Sequence, residues 1–61
     1  MFIRVIETDY NDELIINTNN ISYIHQASNT VLVNGVDGMG KSLVHLDSES
    51  MKKILDNIKI I

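Results

Sequence analysis

Residues 35–42 carry the pattern in this chain that most resembles a chemical site. They read G-V-D-G-M-G-K-S, which fits the Walker A pattern G-x-x-x-x-G-K-[ST]. Such a loop binds phosphates because its backbone N–H groups and the N-terminus of the next helix point at the anion, while its lysine contacts the β- and γ-phosphates. The pattern therefore requires a strand before the loop and a helix that begins at the Gly-Lys-Ser.

The flanking residues supply the strand but not the helix. Residues 30–34 are β-rich, whereas residues 43–46 read L-V-H-L and helical spacing begins only at Met51. Only 19 residues follow Ser42, which is too few for the crossover connections of a parallel sheet. We interpret the loop as a Gly-rich hairpin connection, because glycine readily adopts positive φ. A phosphate contact within an oligomer is the alternative.

The other polar residues do not form a catalytic or metal-binding set. His25 and His45 fall in the third and fifth predicted strands, about 10 Å apart across an intervening strand. That distance is too large for one metal ion within a subunit, although a site shared between subunits stays open. Tyr10 and Tyr23 are expected at the edge of the core, with stacking on a base or anchoring an interface as alternatives. We predict no catalytic residue, no metal and no cofactor.

Length and composition favour a single small domain that depends on association. The chain has 61 residues, no cysteine and 44% hydrophobic residues. Chains this short usually need a disulfide, a metal or a partner to be stable. Because disulfides are excluded and two histidines make a poor zinc site, association with further copies is the remaining means.

Charge and hydrophobic patterning argue against two classes of partner, nucleic acids and membranes. The net charge is −3 and the five Lys and Arg residues form no basic patch, so we expect no nucleic-acid partner. We also expect no membrane partner, because no apolar run is long enough to span a bilayer and residues 1–4 do not resemble a secretion signal. The protein is expected to be cytoplasmic.

The spacing of apolar residues and turn signals predicts an α+β fold. Short β-rich runs are separated by clusters of Asn, Asp, Gly and Ser, and such short connections require antiparallel neighbours. Met51, Ile54, Leu55 and Ile58 form one stripe of a helix. We predict an antiparallel five-stranded β-meander with one C-terminal amphipathic helix packed on one face, built from strands at 2–8, 13–17, 21–26, 30–34 and 41–46 and a helix at 48–58.

The predicted strands place apolar residues on both of their faces. A sheet with one solvated face alternates between apolar and polar residues, and Leu32 and Leu43 break that alternation, as do Ile15 and the opposing pairs in residues 2–6. One helix can cover only one face. Since monomers rarely expose a contiguous apolar patch, we predict a homo-oligomer or a protein partner.

The order of these segments resembles the FlbD-type family of very small flagellar and swarming proteins, and similar small phage and bacterial proteins. The matching features are an asparagine after the first hairpin (Asn17), an I-x-x-I segment (Ile21 and Ile24) and a strand that begins with threonine (residues 30–32). A Gly-Lys before an apolar strand (residues 40–46) and an acidic residue and serine before the helix (residues 47–58) also match. The resemblance implies a fold and no catalytic residues. Residues 36–39 depart from it, because the family usually has a tight turn there.

Together these features predict a non-enzymatic, self-associating protein-interaction module, by analogy a small phage- or bacterium-encoded regulator or inhibitor. The alternative is an oligomeric binder of a nucleotide or cyclic nucleotide, and an NTP-hydrolysing enzyme ranks last. Recognition is expected at the hairpin loop and the first turn, because function concentrates on loops. The candidate partner- or ligand-binding residues are Val36, Asp37, Gly38, Met39, Gly40, Lys41, Arg4 and Tyr23.

Overall fold

The described residues form five strands followed by one α-helix. The structure, a computed structural model, describes residues 1–35 and 41–61, and of Lys41 only the backbone. The predicted and observed bounds differ by at most two residues at any end. The elements are β1 (Phe2–Glu7), β2 (Asp12–Asn17), β3 (Ile21–His25), β4 (Thr30–Asn34), β5 (Lys41–His45) and α1 (Ser48–Asp56).

The strands form two antiparallel sheets, so the prediction of a single five-stranded meander is wrong. β1 pairs with β2, and β3, β4 and β5 form a second sheet in that order. The break lies between β2 and β3, where the chain makes a 3-10 turn at Thr18–Asn20. Asn17 stabilises this turn by accepting a hydrogen bond from the Asn19 N–H (3.1 Å). The backbone N–H of Thr18 bonds to the carbonyl of Met1 (2.8 Å), so the chain stays on the first hairpin and does not fold back as a tight turn.

The two sheets meet where β5 returns to the end of β1. Glu7 and Leu46 form an isolated antiparallel bridge. Beside it, the Thr8 N–H bonds to the His45 carbonyl (2.9 Å) and the Asp47 N–H bonds to the Ile6 carbonyl (3.2 Å). The first hairpin and the second sheet are therefore joined through the first and last strands.

The core lies between the inner faces of the two sheets and the helix. Odd-numbered residues of β1 and β4 point inward, since alternate residues of a strand face opposite sides. The predicted helical stripe faces the core, with Met51 and Ile54 buried and Leu55 and Ile58 packed beside them. The buried apolar residues are Ile3, Val5, Val31, Leu46, Met51 and Ile54.

The start of the helix is fixed to the edge of β1. Asp47 is the N-cap, and its carboxylate accepts a hydrogen bond from the Ser50 N–H (2.8 Å). Hydrogen bonding with the Ser50 side chain, and next the bond from its backbone N–H, lowers the pKa of Asp47 below its ordinary value, because both stabilise the ionised form. The buried Ser50 hydroxyl accepts a hydrogen bond from the Ile6 N–H (2.8 Å), and Lys53 Nζ donates to the Arg4 carbonyl (2.8 Å).

Candidate interaction surface

The outer face of the three-stranded sheet carries a row of apolar side chains. Leu32 of β4 lies opposite Tyr23 of β3 on one side and Leu43 of β5 on the other. Residues paired in this way project from the same face, so the three side chains cross the whole sheet. Tyr23 is 54% exposed and Leu43 is 52% exposed. We call this surface, with its flanking residues His25, Thr30, Asn34 and His45, the three-strand face.

A polar row lies directly beside the apolar row. Thr30 is opposite both His25 and His45. The His25 Nδ1 and Ser28 Oγ atoms are 2.6 Å apart, and the Ser28 and Thr30 hydroxyl oxygens are 2.8 Å apart. At the other end His45 Nδ1 is 3.1 Å from Asp9 Oδ2. This row rims the apolar centre with side chains that are bonded to one another.

The two histidines do not combine into one site. They are two strand spacings apart, as the predicted order of the third, fourth and fifth strands required. The serine contacts His25 while the carboxylate contacts His45, so the parts of a Ser-His-Asp arrangement are divided between two rings. Within the described residues, no three His, Cys, Asp or Glu side chains are grouped closely enough to hold a metal ion.

The outer face of the first hairpin is a second exposed surface, which we call the hairpin face. It consists of Phe2, Arg4, Ile6, Glu13, Ile15 and Asn17, which lie on one side of the β1–β2 register. Phe2 is 70% exposed and Ile15 is 59% exposed. Between these apolar groups Arg4 forms an ion pair with Glu13 (3.4 Å).

The predicted binding residues have different positions in the structure. Val36, Asp37, Gly38, Met39 and Gly40 lie outside the described residues. Lys41 begins β5 opposite Asn34, and its side chain also lies outside the described part. Arg4 is on the hairpin face and Tyr23 is on the three-strand face, in different sheets. The interpretation of residues 43–46 as extended is confirmed for the backbone, because β5 pairs with β4 and Leu46 forms the bridge to Glu7.

This backbone does not have the form that a Walker A loop requires. The segment after the Gly-Lys-Ser is a strand and not a helix, so no helix N-terminus follows the pattern. The closest helix begins at Ser48, after the Asp47 cap.

Three polar residues among those described, Glu7, Thr30 and Ser50, are buried although the sequence analysis does not predict it. The Glu7 side chain accepts hydrogen bonds from the N–H groups of Asp9 and Tyr10, so it stabilises the first turn. Ser50 bonds to β1 as described above. An acid directly before a turn and a serine three residues after an Asp cap were the available signals.

Comparison with known proteins identifies no similar protein. No protein-family model, no curated protein and no solved structure matches this chain. The resemblance to the FlbD-type family therefore stays a prediction. No helix that the structure describes combines the length and apolar character needed to cross a membrane, and no pocket is present among the described residues.

Proposed function

We propose that this protein is a non-enzymatic protein-interaction module that associates with copies of itself. The observation that carries the proposal is the exposure of large apolar side chains on the outer faces of both sheets. Phe2, Ile15, Tyr23 and Leu43 each leave more than half of their surface in contact with solvent. Contiguous patches of this kind usually mark a surface that a protein partner covers.

The size of the chain supports the same proposal. Six apolar residues are buried in the part of the chain that the structure describes, and a domain of 61 residues buries a modest fraction of its surface on folding. Covering the outer side chains in an assembly would remove further apolar area from water, at roughly 25 cal/mol per Å². Self-association therefore contributes to stability as well as to recognition.

The arrangement of the reactive side chains is consistent with a role that does not involve catalysis. The Asp9 carboxylate and the His45 ring are in contact at the exposed junction of the two sheets, where Thr8 also bonds to β5. Ser28 joins His25 to Thr30 within one turn. These contacts connect elements of the fold, and they do not converge on a common point.

The alternative of a nucleotide or cyclic-nucleotide binder rests mainly on residues 36–40 and the Lys41 side chain. Of its candidate residues, Arg4 is paired with Glu13 and Tyr23 belongs to the three-strand face. No described contact favours this alternative over self-association. The wider role as a phage- or bacterium-encoded regulator also stays a prediction.

Sedimentation velocity over micromolar to millimolar concentrations tests the proposal. We expect the sedimentation coefficient to rise with concentration towards that of an oligomer, because association is governed by mass action. A coefficient that stays at the monomer value throughout would contradict the proposal.

A thermal-shift panel separates protein association from ligand binding. ATP, GTP and cyclic nucleotides, with and without Mg²⁺, are expected to leave the melting temperature unchanged. A stabilisation by one of them that disappears in Lys41→Ala would support the ligand alternative instead.

A further inference from the structure

We propose that the three-strand face packs against the same face of a second copy, in a two-fold dimer whose axis passes by Leu32. This inference rests on the proposed self-association and assigns it to one of the two exposed faces. Three features of the described residues lead to it, namely the arrangement of apolar and polar side chains, the placement of charge and the symmetry of the apolar row.

The three-strand face has the organisation of an interface. Its centre is the apolar row of Tyr23, Leu32 and Leu43, and polar rows lie on both sides. On one side are His25, Thr30 and His45, and on the other the Ser22 hydroxyl donates to Asn34 Oδ1 (2.9 Å). Protein–protein interfaces likewise have an apolar centre, where tyrosine is enriched, and a polar rim.

The placement of charge identifies the occupant as a second copy. The chain carries a net charge of −3, so two copies repel each other unless their acidic groups lie away from the contact. The described acids lie in two regions only: Glu7, Asp9, Asp12 and Glu13 in the first hairpin, and Asp47, Glu49 and Asp56 in or beside the helix.

No acidic residue occurs in β3, β4 or β5. Besides its two histidines, the sheet contains one charged residue, Lys41, which begins β5 opposite Asn34 and whose side chain lies outside the described part. The Asp9 carboxylate of the first turn lies at the rim, beside His45. Two copies can therefore bring their three-strand faces together without placing acidic residues of these strands against one another. A basic partner, by contrast, would be attracted to the hairpin and the helix, where the acids lie.

The apolar row is also compatible with two-fold symmetry. A two-fold interface brings the same patch of both copies together. Leu32 lies in the middle strand, between Tyr23 and Leu43, so it meets the Leu32 of the second copy whether the axis runs along the strands or across them. The outer residues then contact either their own counterparts or each other.

The size of the face limits the strength of the dimer. Three five-residue strands cover roughly 17 by 14 Å, and a standard stable interface takes roughly 800 Å² of accessible surface from each partner. The three-strand face is smaller than that, so we expect a dimer that dissociates in the roughly micromolar range.

Isotope-filtered NMR on a mixture of ¹³C-labelled and unlabelled protein tests the face directly and needs no substitution. We expect intermolecular NOEs between the methyl groups of Leu32 and Leu43 in the labelled copy and Tyr23 or the leucines in the unlabelled copy. Ile15 and Phe2 serve as internal controls, because the hairpin face should give none. The chemical shifts of the three-strand face should also move as the protein is diluted.

The outcomes separate this inference from the proposed function. Intermolecular NOEs at Phe2 and Ile15 and none at Leu32 would overturn the assignment of the face, while self-association itself would stand. A monomer in sedimentation at every concentration would overturn both. NOEs confined to the apolar row, together with a coefficient that rises with concentration, would support both.

Discussion

The hairpin face and the three-strand face expose apolar side chains to a similar extent but differ in how charge is arranged around them. Ile15 on the hairpin face is 59% exposed and Leu43 on the three-strand face is 52% exposed. Ile15, however, lies opposite Arg4, whose partner Glu13 is two residues before it in β2. The row through Leu43 has no acidic residue in its three strands, and Lys41, two residues before Leu43 in β5, is the charged residue there apart from the histidines. Exposure alone therefore does not identify an interface, and charge placement distinguishes the two faces.

The two sheets also differ in the hydrogen bonds that stabilise them. The edge of β1 that faces away from β2 is bonded to the helix start, through Ser50 and Asp47 at Ile6 and through Lys53 at Arg4. The three-stranded sheet is stabilised by its own middle strand, which pairs on both sides. A change at the helix should consequently affect the stability of the hairpin without altering the three-strand face.

The largest expected effect comes from placing a carboxylate on each face in turn. Leu43→Asp should weaken dimerisation by at least about 100-fold, because the dimer would bury unpaired, like-charged groups at a cost of several kcal/mol. Ile15→Asp is the matched control, since it makes the same change at an equally exposed strand position. It should leave the dimer dissociation constant within about threefold, as expected for a surface substitution away from the contact. Sedimentation equilibrium measures both variants.

The reverse result would contradict the assignment of the interface to the three-strand face. If Ile15→Asp dissociated the dimer and Leu43→Asp did not, the hairpin face would be the interface. Circular dichroism of both variants shows whether each keeps its fold, and both positions are exposed enough that we expect it to.

Much of the fold follows from local sequence, but the sheet organisation does not. The stripe from Met51 to Ile58 and the Asp47 cap predict the helix, and the turn residues predict the strands, because these signals act over a few residues. Asn11 and Asn29 adopt the left-handed conformation that makes asparagine common in turns. The gap between β2 and β3 depends on the bonds that Asn17 and Thr18 make, and the bridge to β5 depends on contacts far along the chain. No local pattern specifies either.

The candidate surface could be predicted only in part. Broken alternation at Leu32 and Leu43 predicts an apolar outer face from the sequence alone. The sequence pattern favours loop residues 36–40 over this apolar face as a recognition site, because the loop resembles a phosphate-binding loop. The difference in acidic residues between the two faces emerges only when the strand pairing places Glu7, Asp12 and Glu13 in a separate sheet from Leu43.

The next prediction concerns the free energy of unfolding, and its substitution should leave self-association unchanged. Ser50→Ala removes the acceptor of the Ile6 N–H, and leaving that donor unpaired should lower the free energy of unfolding by about 1–3 kcal/mol. Ser48→Ala, at an exposed position two residues earlier, is the control and should change it by less than about 0.5 kcal/mol. Denaturant unfolding measures both. A Ser50→Ala protein with unchanged stability would contradict the assigned bond, and one that no longer dimerised would show that the helix and the three-strand face are coupled.

Substitution of Arg4 and Glu13 tests whether their charges keep the hairpin face free of partners, and it should have the smallest effect on stability. Replacing Arg4 and Glu13 together by leucine removes an ion pair whose side chains are 64% and 56% exposed, so the free energy of unfolding should change by less than about 1 kcal/mol. The net charge stays at −3, because one positive and one negative group are lost.

The expected change in that double variant lies in its assembly state. Its hairpin face would lose its ion pair and become more apolar, and we expect species larger than a dimer in sedimentation velocity. The matched control replaces both residues by glutamine, which removes the charges but keeps the face polar, and it should stay dimeric. If the leucine variant also stayed dimeric, the ion pair would not be the cause of the difference between the faces. The curvature of the hairpin or its contacts with the helix would then have to explain why Phe2 and Ile15 are left in solvent.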